Sequence, residues 1–201
     1  MTDNFALLNE PRRPWLDADL LRQKFITQSA SLHPDKIHSA GDAEKNAAAK
    51  KFAELNAAYH CLAEPKSRLL HLLELELGAK PKDIQQIPAA LADLFAEVSM
   101  TCRGADDFLA GKSKVTSPLL QVQWFERGQE WIEKLNRRQR ILTESREKIS
   151  AELRSLDAKW ISAADGSRRE ILPALEELYR LFGYFNRWHN QIQERVVQLS
   201  F

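Results

Sequence analysis

Residues 17–35 read DADLLRQKFITQSASLHPD, and residues 52–59 read FAELNAAY. In the first stretch Asp17 can cap a helix over residues 17–32, whose Leu21, Phe25 and Leu32 share one face. Pro34 stops that helix, because the residue before a proline is pushed out of the α region. After a polar loop over residues 36–41, Asp42 is expected to cap a second helix, where Phe52, Leu55, Tyr59 and Leu62 recur at spacings of 3, 4 and 3. Between the two helices stands His33-Pro34-Asp35. The proline fixes φ and stiffens the loop, which holds the Asp35 carboxylate at an exposed tip, while His33 follows a helix C-terminus that favours a proton donor. On its own the tripeptide is a helix stop followed by a turn. At such a tip it can also offer a preset carboxylate to an arginine of a partner.

Outward from this hairpin the chain continues as helices punctuated by Pro and Gly. Pro65 suits the first turn of a third helix with Leu69, Leu73 and Leu77 on one side, and Gly78 is placed to end it. Lys80-Pro81-Lys82 reads as a linker. Pro88 opens a helix carrying Leu91, Leu94, Phe95, Val98 and Cys102, with Gly104 expected to close it and residues 105–117 expected as a loop. Ser117-Pro118 starts a very long helix, proline-free to residue 163, with a seam of Ile132, Leu135, Leu142, Ile149, Leu153, Leu156 and Trp160 and a weak point at Gly128. Asp165-Gly166 signals a turn, and a last helix alternates Leu175, Leu178, Phe182, Phe185, His189, Ile192, Val196 and Leu199. These two helices are expected to pair as an antiparallel coiled-coil hairpin. No segment sustains the alternation of a strand, so the fold class is all-α, with a module over 1–80 and a second over 81–201.

Composition excludes several classes of function. The 201 residues hold 29 Lys plus Arg against 28 Asp plus Glu, which provides no global field for nucleic acid or an anionic membrane. The two cysteines, Cys61 and Cys102, lie far apart, so neither a disulfide framework nor a thiolate metal site is expected. No apolar run approaches the ~20 residues of a membrane span, and a cytoplasmic protein is expected. None of His38, His60, His71 and His189 has a partner at metal-ligand spacing, and adjacent His60 and Cys61 point in different directions on a helix. With no phosphate loop either, no enzyme, metal or cofactor is expected. Trp124, Trp131, Trp160 and Trp188 read as core.

The residues around His33-Pro34-Asp35 resemble the J-domain family: Phe5-Ala6-Leu7-Leu8 as its short first helix, residues 21–32 as its second, residues 52–59 in its third, and Glu64-Pro65-Lys66-Ser67-Arg68 as the turn into its fourth. Within that family the chain is most similar to the HscB-type co-chaperones of iron–sulfur cluster assembly. The loop after Asp35 is longer than in general J-proteins, the fourth helix continues as Arg68-Leu69-Leu70-His71-Leu72-Leu73, and a helical domain takes the place of a Gly/Phe-rich linker. The likeness returns at Tyr179-Arg180-Leu181-Phe182.

What the resemblance implies is a docking module that stimulates the ATPase of a DnaK- or HscA-type chaperone, and a tail that presents an iron–sulfur cluster scaffold protein as client. His33, Pro34 and Asp35 would be the ATPase trigger. Arg22 matches a basic position on the family's docking helix, and Lys24 and Lys36 join it as candidate docking residues, although Ile26, Thr27 and Ser31 stand where lysine or arginine is common. Leu91, Phe95 and Leu181 are the nearest matches to the family's client-binding residues, with bundle core as their plainer role. The alternative is a structural or interaction module whose J-like domain does not stimulate an ATPase.

Overall fold

The computed structural model describes residues 2–30, 32, 41–81, 87–111, 117–164 and 166–200. Seven α-helices occupy them in the order α1 (Asn4–Leu7), α2 (Ala18–Ala30), α3 (Asp42–Ala63), α4 (Pro65–Leu77), α5 (Ala92–Ala110), α6 (Pro118–Ser162) and α7 (Leu172–Ser200), with 3-10 turns at Ala89–Leu91 and Ser167–Glu170. The described residues contain no strand, and none of their helices is long and apolar enough to cross a membrane. The fold is all-α, as expected.

Local chemistry sets most of the boundaries. The Asp3 carboxylate accepts from the Phe5 and Ala6 N–H groups at 3.0 and 3.3 Å and starts α1. Asp17 does the same for α2, accepting from Asp19 and Leu20 at 3.0 and 2.9 Å. The start of α3 differs from expectation: its N-cap is Gly41, which supplies no side-chain bond, and Asp42 lies in the first turn, where a carboxylate favours the helix dipole. Pro65 takes the first position of α4, Glu64 caps it through the Ser67 N–H at 2.6 Å, and Gly78 ends it at φ 72°, a left-handed conformation suited to glycine.

The chain forms two compact units, one of Met1–Lys82 with Ser150–Arg180, the other of Asp83–Ile149 with Leu181–Phe201. Residues 150–180, expected in the C-terminal module, thus group with the first 82, because Asp157 and Trp160 bond to residues 12–15.

In the first unit α3 is central, packed by α1, α2 and α4. Phe5, Leu8, Leu21, Ala58, Leu62, Leu69, Leu72 and Leu73 are all but inaccessible. Phe25 stacks on Tyr59 at 4.5 Å between ring centres. Phe52, placed in the same stripe, is 39% exposed. The buried face of α3 is centred on Ala48, Leu55, Ala58 and Leu62, and at 100° per residue Phe52 falls on its edge.

In the second unit α5, the first part of α6 and the last part of α7 pack together. Gly104 does not end α5, which continues to Ala110 with Ala105 buried, so residues 105–110 are helix rather than loop. A Cβ at Gly104 would meet the Trp131 ring at 2.4 Å: this glycine makes room for an indole. Gly128 does not break α6 either; it lies against the end of α7, where a Cβ would be 3.8 Å from the Leu199 carbonyl oxygen. In the first unit, Arg168 reaches back to the Trp160 carbonyl at 3.3 Å. In the second unit, then, the start of α6 lies against the end of α7. Leu135, Leu142, Ile149, Leu153 and Trp160 are buried as expected, but the seam passes through Asp157, 3% exposed, and not through Leu156, which is half-buried. On α7, Trp188 is buried and His189 exposed. The flank that carries Trp188 and Arg195 packs on α5, with Phe95 5.9 Å from the indole and the Arg195 guanidinium on Asp106 at 2.7 Å, which turns His189 outward.

Candidate functional site

His33, Pro34, Asp35 and Lys36 lie outside the described residues. The helices that carry them are described: α2 and α3 pack on each other and are joined by the segment that holds the tripeptide. α2 buries Leu21 and half-buries Phe25, leaving Arg22 and Ile26 on its exposed side. Arg22 and Ile26, four residues apart, are neighbours on one face. Lys24, a candidate for docking, is held within the chain: its ammonium meets Glu10 Oε1 at 2.7 Å and the Asn9 carbonyl at 3.2 Å. Ile26 is 52% and Leu20 58% exposed, so the helix presents aliphatic side chains where a row of cations would stand in a strongly basic docking helix.

Beside α2 runs the segment that leads into it. Asn9, Glu10, Arg13, Trp15, Leu16 and Asp17 form one wall of a cleft of about 660 Å³, and Leu20, Gln23, Lys24, Thr27 and Gln28 of α2 form the other. The wall is tied down residue by residue. The Arg12 carbonyl accepts from the Trp160 indole at 2.9 Å, Arg13 makes a two-pronged ion pair with Asp157, the Pro14 carbonyl accepts from Arg68 Nε at 2.8 Å, and the Trp15 N–H donates to Asp157 Oδ1 at 3.2 Å. Arg68 is 4% exposed and also donates to the Leu62 carbonyl. Burial pulls its guanidinium down to about 10, opposed by the charges of Glu64 and Asp157, which leaves it charged at neutral pH. The hydrogen bond it donates to Asp157 raises the Arg13 guanidinium above its ordinary value. The sequence motifs include Arg68 only as part of the turn into the fourth helix and its continuation, and they include neither Arg13 nor Asp157. The available signal was an acid at 157 set four residues after Leu153 and three before Trp160, on the buried stripe of α6.

Leu91, Phe95 and Leu181 all belong to the second unit. None is core: Leu91 and Leu181 are half-buried and Phe95 is 39% exposed. Leu91 and Phe95 are one turn apart, and Leu181 stands two turns before Trp188, the residue that Phe95 touches. Tyr184 and Phe185 stand against Trp188 at 5.9 and 5.6 Å, so Phe95 caps an aromatic cluster with its outer face in solvent. Among the described residues no group of three or more His, Cys, Asp or Glu side chains could hold a metal ion.

No family model matches the chain. Over 80 residues it is 39% identical to the co-chaperone protein HscB homolog of Paraburkholderia phymatum, an alignment that covers 38% of this chain and 46% of that protein. The HscB homolog of Paraburkholderia xenovorans gives the same coverage at 38% identity, so these matches span just under half the length of the relatives. With the HscB homolog of Cupriavidus taiwanensis the likeness runs through 178 residues at 29% identity, 85% of this chain and 86% of that one. Among solved structures, chaperone HscB from Vibrio cholerae superposes with a TM-score of 0.62 at 18% identity, over 98% of this chain and 99% of that one. Human co-chaperone protein HscB gives 0.58 at 18%, over 98% and 81%. Those two likenesses show a shared fold.

Proposed function

We propose, from a chain that is HscB-like in sequence and fold, that it acts as a J-domain co-chaperone, with residues 1–80 as the docking module and residues 81–201 carrying the client-facing part. The observation that carries this reading is the packed pair α2 and α3, joined by a segment that contains His33-Pro34-Asp35. A carboxylate beside a proline, in a segment that joins two packed helices, suits pairing with a partner's arginine. The partner is a DnaK- or HscA-type chaperone, whose ATP hydrolysis the tripeptide stimulates. Arg22 is the candidate docking cation of α2. With Lys24 paired to Glu10 and Ile26 exposed, docking draws on apolar contact more than on charge, so it should depend weakly on salt.

The client is an iron–sulfur cluster scaffold protein, met by Leu91, Phe95 and Leu181. Their partial exposure beside a buried aromatic cluster suits a preformed anchor patch. Steady-state ATP hydrolysis by the purified chaperone tests the first half: the protein accelerates it, and Asp35→Asn abolishes the acceleration with helicity unchanged. No acceleration by the wild type would favour the alternative, an interaction module without ATPase-stimulating activity, and equal acceleration by both proteins would take the trigger role from Asp35. Calorimetric titration against a cluster scaffold tests the second, where joint replacement of the three anchors by alanine weakens binding by about 2 kcal/mol or more.

A further inference from the structure

The geometry points to Asp157 and Trp160, in the last turns of α6, as positioning residues for the docking helix α2, so that α6 helps to set how the N-terminal module meets its chaperone. This inference rests on the co-chaperone reading for its partner, and on bonds within the first unit for its mechanism.

The segment over residues 9–17 is what α2 leans on. Its last residue, Asp17, caps the first turn of α2, Leu16 is buried, and Glu10 with the Asn9 carbonyl holds Lys24 near the middle of the helix. The segment has no regular secondary structure and thus no hydrogen-bond ladder of its own. What fixes it comes from elsewhere. Asp157 accepts from Arg13 Nε at 3.0 Å and from the Trp15 backbone N–H at 3.2 Å on the same oxygen, while its second oxygen takes Arg13 Nη2. One turn on, the Trp160 indole donates to the Arg12 carbonyl at 2.9 Å, and α4 adds Arg68 on the Pro14 carbonyl. Four successive residues are held, three of them from α6.

Asp157 is 3% exposed, and a carboxylate so buried is tolerated only while paired and hydrogen-bonded. Removing its charge leaves Arg13 without its acid and the Trp15 N–H with a weaker acceptor. The wall of the cleft then loosens, and α2 loses the support that fixes its first turn and Lys24. The bonds at stake are at residues 12–15, and the trigger tripeptide is at residues 33–35. The variant should therefore change how tightly the chaperone is engaged and leave the stimulated rate intact.

The test uses the full chain with the DnaK-type chaperone of the same cell and separates half-saturation from maximal ATPase stimulation. Asp157→Asn and, independently, Arg13→Gln should raise the half-saturating concentration at least fivefold with the maximum unchanged. The charge swap Arg13→Asp with Asp157→Arg should recover part of the loss, as expected for a coupled pair. Amide exchange in the free protein gives a second readout that needs no chaperone: residues 15–24 should exchange faster in Asp157→Asn, while α3 exchanges at the wild-type rate. Wild-type half-saturation and wild-type exchange in α2 would overturn the inference. So would a lower maximum at unchanged half-saturation, which would place Asp157 in the trigger. If the wild type does not stimulate the chaperone, the co-chaperone reading fails, and the exchange experiment still decides the bracing.

Discussion

His71 accepts a hydrogen bond from the Asn4 backbone N–H through Nε2 at 3.0 Å, so the imidazole is neutral while it holds α1. Its ring stacks on Phe5 at 5.7 Å, and Asp3 Oδ1 stands 4.0 Å from the same nitrogen. Burial lowers the His71 pKa below its ordinary 6.5; the nearby carboxylates of Asp3 and Glu74 oppose that and Arg12 adds to it. A histidine whose folded pKa is depressed stabilises the fold above its unfolded value and loses that contribution as pH falls through about 6.5 and below. Urea unfolding at pH 7.5 and pH 5.5 should show the wild type losing more stability on acidification than His71→Gln, whose amide cannot titrate. An equal loss in both would mean that other groups govern the acid limb. Asp3 also caps α1 and pairs with Arg12 at 2.8 Å, so α1 is held at its start by two groups that acid protonates, His71 and Asp3.

At the scale of elements, most helices are written in their stop and start residues, and the departures come from packing that one sequence does not display. Asp17, Pro65, Gly78 and Ser117-Pro118 act locally, and each stands where its chemistry placed it. A glycine after a periodic run signals a helix end, yet the position of Gly104 is dictated by Trp131, 27 residues away on another helix. The sign of one substitution separates the two roles. If propensity alone mattered, Gly104→Ala would stabilise by about 1 kcal/mol. With an indole 2.4 Å from the new methyl group, it should instead destabilise by about 1–3 kcal/mol in thermal or chemical unfolding. The seam of α6 departs at Leu156 and Asp157 for a related reason: hydrophobicity favours the leucine, while the buried acid is held by Arg13 and the Trp15 N–H, partners 142 to 144 residues distant. The same holds for the candidate sites. Arg22 on an exposed face follows from periodicity, whereas the capture of Lys24 by Glu10 depends on how the segment before α2 folds back.

At the scale of the molecule, one helix serves two compact units. α6 is 45 residues long, roughly 68 Å at 1.5 Å per residue, and contributes Leu135, Leu142 and Ile149 to the second unit and Leu153, Asp157 and Trp160 to the first. Each added residue turns everything after it by 100°. Within the first unit, a single residue inserted after Leu153 should therefore carry Asp157 and Trp160 off the face that meets residues 12–15, and unfolding should lose cooperativity or shift to a lower midpoint. From Leu153 to Trp160, then, the spacing is a counted quantity: at the exposed positions in that interval any side chain would do, but evolution can neither add a residue nor remove one.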